Sequence, residues 1–82
     1  LGWPLYKGGR LPEAIETLQR AAAKEAQEPE IHEHLGDALY SAGRKYEARF
    51  AWNAALIGAE DDVVQRIRAK IQHGLTPETA AP

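Results

Sequence analysis

Leu35-Gly36-Asp37-Ala38-Leu39-Tyr40, followed by Gly43-Arg44 and Glu47-Ala48, is a stretch that the chain spells twice. Leu1-Gly2-Trp3-Pro4-Leu5-Tyr6, Gly9-Arg10 and Glu13-Ala14 stand 34 residues earlier. Nine pairs are identical at that offset: Leu1/Leu35, Gly2/Gly36, Leu5/Leu39, Tyr6/Tyr40, Gly9/Gly43, Arg10/Arg44, Glu13/Glu47, Ala14/Ala48 and Ala21/Ala55. A fixed period of roughly 20–50 residues marks a stack of similar units, each too small to bury its own apolar face.

Size and charge narrow the classes around this repeat. Eighty-two residues make one small domain, without cysteine and with a formal net charge of −2. Neither a disulfide nor a thiolate-metal site can supplement the core. Lysines and arginines are scattered, which argues against a nucleic-acid or anionic-membrane surface. No apolar run approaches the roughly 18 residues of a membrane span. No basic-then-apolar leader follows Leu1. Because the chain opens in mid-repeat, a piece of a longer protein is the expectation.

Outward from the repeat, the apolar spacing predicts five helices. The first, over 1–7, ends at Gly8-Gly9; Pro4 would kink it if it were longer. The second runs from Leu11 to about Ala26 with Pro12 near its start, and Ala14, Ile15, Leu18, Ala21, Ala22 and Ala26 on one face. Glu16 and Arg20 are four apart and can pair on the wet side. The third starts near Pro29, buries Ile31, Leu35, Ala38, Leu39 and Ala42, and stops at Gly43. Gly36 costs roughly 1 kcal/mol against alanine in a helix interior, so its repetition implies a close approach of two helix axes. The fourth, over 45–57, buries Ala48, Ala51, Trp52, Ala55 and Leu56. The fifth, Asp61 to His73, leaves the repeat: Val63, Val64, Ile67 and Ile71 form an apolar stripe, and Arg66, Arg68, Lys70 and Gln72 leave the other side polar. Residues 76–82 are rich in Pro, Thr and Ala and are expected to be disordered.

These residues resemble the tetratricopeptide repeat, a pair of antiparallel helices with a 34-residue unit. Leu35, Gly36 and Leu39 fall on its first-helix signature positions, and Ala48, Trp52 and Ala55 on its second-helix ones. Leu1, Gly2, Leu5, Ala14, Leu18 and Ala21 supply the earlier, incomplete copy. Two departures stand out. His32 replaces the usual tryptophan, and the proline that commonly follows the second helix is absent at Ala26 and Glu60. The resemblance implies an all-α stack of antiparallel helical hairpins wound as an α-α superhelix, like the C-terminal part of a bacterial-type array. Its organisation would be a partial repeat over 1–26, a complete repeat over 27–59, a capping helix over 60–74 and a tail over 75–82.

Function follows from the resemblance rather than from spacing. Arrays of this kind bind peptides or proteins in a concave groove lined by the first helix of each pair. The matching positions are Trp3, Tyr6 and Lys7 in the partial repeat and Glu30, Glu33, Asp37, Tyr40 and Ser41 in the complete one. That surface would be acidic and aromatic, suited to a segment carrying Lys or Arg with an apolar side chain. Carboxylates at these places disfavour the carboxylate-clamping use known in the family. The expectation is a non-enzymatic protein-interaction scaffold without catalytic residue, metal, cofactor, nucleic acid or membrane insertion. A homodimer or helix-exchanged dimer through the open apolar N-terminal end is the alternative. His32 and His34 lie about 200° apart around a helix and cannot chelate one ion together. Glu60-Asp61-Asp62 is a helix start, and Trp52 is a core residue.

Overall fold

A computed structural model describes residues 10–75, and within them the chain is four helices joined by short turns. They are α1 (Leu11–Lys24), α2 (Pro29–Ser41), α3 (Lys45–Ala55) and α4 (Asp61–His73). The helix expected over 1–7, the proline kink, Trp3, Tyr6, Lys7 and the tail at 76–82 lie outside the described residues. The second and fourth expected helices each end about two residues early, at Lys24 and Ala55.

Local chemistry fixes each start and stop. Prolines occupy the opening positions of α1 and α2, where their missing N–H costs nothing. Asp61 and Asp62 in the first turn of α4, and Lys70 and His73 in its last, suit the helix dipole. At the end of α2, Gly43 N–H donates to the Tyr40 carbonyl at 3.0 Å and Arg44 N–H to the Leu39 carbonyl at 2.9 Å. This double closure is a Schellman motif and reverses the chain into α3. Arg44 then grips Glu47 through Nε and a terminal nitrogen at 2.8 and 2.7 Å. The repeated pair does the same at the entry to α1, where Arg10 Nε meets Glu13 at 3.3 Å. The duplicated Arg and Glu thus form one local device, used at the mouth of each second helix.

Packing is most extensive between successive helices. α2 packs most extensively on α3, α1 lies against α2, and α4 against α3. The buried apolar core is Ala14 and Ile15 from α1; Leu35, Ala38 and Leu39 from α2; Ala48, Ala51, Trp52 and Ala55 from α3; and Ile67 from α4. Five of these ten are alanines, so backbones approach closely and the large side chains fill what remains. Gly36 carries this furthest. A Cβ there would overlap Trp52 Cδ1 and Nε1, so the glycine is the notch in which the indole sits. Ile31 is half-buried, while Ala42 and Ala26 face solvent, which trims the apolar stripes predicted for their helices.

Candidate functional site

The face predicted to meet a partner begins with Glu33 and Asp37, four apart on α2 and therefore on one side of it. They are not open to solvent. Glu33 is 1% exposed and Asp37 0%, a correction to the acidic groove expected at these positions. The reason lies in α4. Arg66 and Lys70, also four apart, reach back across the stack toward α2. Arg66 holds Glu33 in a bidentate pair, Nε to Oε2 at 2.7 Å and a terminal nitrogen to Oε1 at 2.8 Å. Lys70 Nζ lies 2.8 Å from Glu33 Oε2 and 2.9 and 3.1 Å from the two Asp37 oxygens. Its three protons therefore have three acceptors. Trp52 Nε1 donates to Asp37 Oδ1 at 3.0 Å, tying the network to the core indole.

Two carboxylates and two cations balance, which is the condition for charge to be tolerated inside a fold. Lys70 is itself 0% exposed, although its place in the sequence predicted the wet side of α4. Among the described residues no buried side-chain nitrogen or oxygen lacks a partner. Burial alone would push the Glu33 carboxyl up, but hydrogen bonds from Arg66 and Lys70 outweigh it and hold the group below the ordinary glutamate value. The hydrogen bond to Glu33 raises the Arg66 guanidinium above its ordinary value.

A pH dependence follows with a definite sign. A carboxyl that binds its proton less readily when folded contributes stability fully present above its unfolded pKa, about 4.3, and lost as pH falls through the lower folded value. The melting temperature is therefore expected to fall as pH drops from about 5 to 3. Glu33→Gln should melt lower at pH 7, and its curve should converge on the parent's at the acid end. Thermal melts followed by circular dichroism across that range check this; parallel curves would refute it.

The rest of the predicted set is divided. Glu30 and Ser41 are exposed on α2. Tyr40 is half-buried, its ring 5.6 Å from Trp52 and 5.3 Å from Lys45 Nζ. Gly74, at φ +83°, closes on the Tyr40 hydroxyl so tightly that any Cβ would collide with it. Tyr40 is accordingly packed by the end of α4 as well as by α3. Arg49 adds a further tie, donating from Nε to the Ile71 carbonyl at 3.1 Å in the last turn of α4. His32, at the departure from the family pattern, donates from a ring nitrogen to the Ala26 carbonyl at 2.7 Å. Among the described residues no group of His, Asp and Glu has metal-site geometry. No described helix is long and apolar enough to cross a membrane.

With this geometry in view, a family model described as tetratricopeptide repeat matches residues 1–63. The chain belongs to the tetratricopeptide repeat family. No curated protein and no solved structure matches it. Tetratricopeptide repeats mediate protein–protein interaction and are typically scaffolds rather than enzymes. The match runs from the partial copy through the complete repeat to the first turn of α4. Arg66 and Lys70 lie beyond it, so the charge network joins the repeat to the part of α4 that follows the matched span.

Proposed function

We propose that this chain is a non-enzymatic protein-interaction module whose partner segment runs along the part of α2 that α4 leaves open. The tetratricopeptide repeat architecture is the observation that carries this. Glu30, the exposed edge of Tyr40 and Ser41 would contact the partner, continued by Trp3, Tyr6 and Lys7 of the partial repeat. Glu33 and Asp37 have a different role: they anchor α4 and thereby hold the face in place. The self-assembly alternative depends on residues 1–9, outside the described region.

The test is a two-dimensional NMR titration of the chain with a panel of basic, acidic and neutral peptides. Saturable shifts at Glu30, Tyr40 and Ser41 are expected from at least one class. Shifts confined to the outer side of α3, or none from any class, would overturn the proposal.

A further inference from the structure

Between the start of α2, the 58–60 turn and the first turns of α4 lies a cleft of about 360 Å³. Its volume is at the low end of the roughly 300–1,000 Å³ typical of ligand pockets. Pro29, Ala59 and Val63, all half-buried, give it apolar walls. Glu33 and Arg66 also line it, but they are spent on one another in the bidentate pair. What remains at the edge is acidic: Glu28, Glu30 and Glu60 all face this cleft and all are exposed. Among the described residues Glu28 and Glu60 make no ion pair, and the half-buried His34 ring, which also lines the cleft, has Nε2 3.8 Å from Glu30.

We infer that this cleft receives a lysine or arginine side chain from a partner polypeptide. An apolar wall topped by carboxylates matches a side chain with a long aliphatic stem and a cationic tip. The stem would lie on Pro29, Ala59 and Val63, and the tip would reach Glu30 and Glu60. The inference rests on the interaction-module reading and moves its basic-residue preference. Sequence placed that preference on Glu33 and Asp37, which the chain's own cations now occupy; the cleft holds the acidic groups still available.

The experiment titrates the 82-residue chain with one peptide series in which a single central residue is lysine, arginine, norleucine or glutamate. Affinity and amide shifts are read by NMR at two salt concentrations. Lysine and arginine peptides should shift Ala59 and Val63 and bind about tenfold or more tighter than the norleucine peptide, with the gap narrowing at high salt. Glu30→Gln with Glu60→Gln should remove that advantage, while Glu13→Gln with Glu16→Gln on α1 should leave it intact. Equal binding of lysine and norleucine peptides, or an advantage that survives the Glu30/Glu60 change, would overturn the cleft while leaving the module standing. Silence from every peptide would overturn both.

Discussion

Replacing Lys70 with methionine is expected to cost about 3–5 kcal/mol, which for a domain this small is a large part of its total stability of order 5–15 kcal/mol. The stem is kept in length and apolar character; only the ammonium is removed. Glu33 retains Arg66 and Asp37 retains the Trp52 N–H, but two buried carboxylates are then left with one cation, so net negative charge is stranded. The prediction separates charge from packing. Adding Glu33→Gln and Asp37→Asn to Lys70→Met removes the stranded charge, and most of the lost stability should return, because apolar or neutral replacements of a whole buried ion set are often nearly neutral. Arg66, about a third exposed, can turn to water in that variant. Urea unfolding at pH 7 measures all three chains. A triple variant no more stable than Lys70→Met alone would mean that the network's charge was not the source of the loss.

The same residues show what the sequence could and could not disclose. The small positions were legible because a helix stack imposes them by distance: Gly36, Ala48 and Ala55 are all buried, and the 34-residue spacing points to them without any knowledge of partners. Trp52 was legible as the large group they surround. The fate of the charged face was not. Glu33 and Asp37 have the spacing of a solvated stripe, and a carboxylate looks the same in sequence whether it meets water or a buried ammonium. Two signals were available. Arg66 and Lys70 repeat the i, i+4 spacing with opposite charge on the next first-type helix. Lys70 also stands 34 residues after Gly36, at a position that the complete repeat buries. A lysine at that place can be accommodated only with anions waiting for it, and Glu33 and Asp37 are those anions. Tyr40 was assigned to the open face because its packing partners include the very end of α4, outside the repeating unit.

Trp52→Ala is expected to cost a further figure in the same range, about 3–5 kcal/mol, through a cavity at the centre of the stack. The indole is wholly buried, is the largest such side chain among the described residues, and gives Asp37 a hydrogen bond. Its more informative use is as one arm of a cycle with Gly36. In the parent chain Gly36→Ala should destabilise by about 1–2 kcal/mol. The overlap with the ring is deep enough to place the overpacking cost in the upper part of its usual range, about 2–3 kcal/mol, and the gain in helix propensity, about 1 kcal/mol, offsets only part of it. Once Trp52 is alanine the obstruction is gone and only the propensity gain remains, so the same substitution should stabilise. The sign reversal gives a coupling of about 2 kcal/mol or more between residues 36 and 52, within the range of directly contacting pairs. Should Trp52→Ala prove too unstable to unfold cooperatively, Trp52→Leu gives the same cycle with a smaller cavity. If Gly36→Ala cost the same in both backgrounds, the glycine would not be there to admit the ring. The small residues repeated at the 34-residue spacing would then need a reason other than close helix packing.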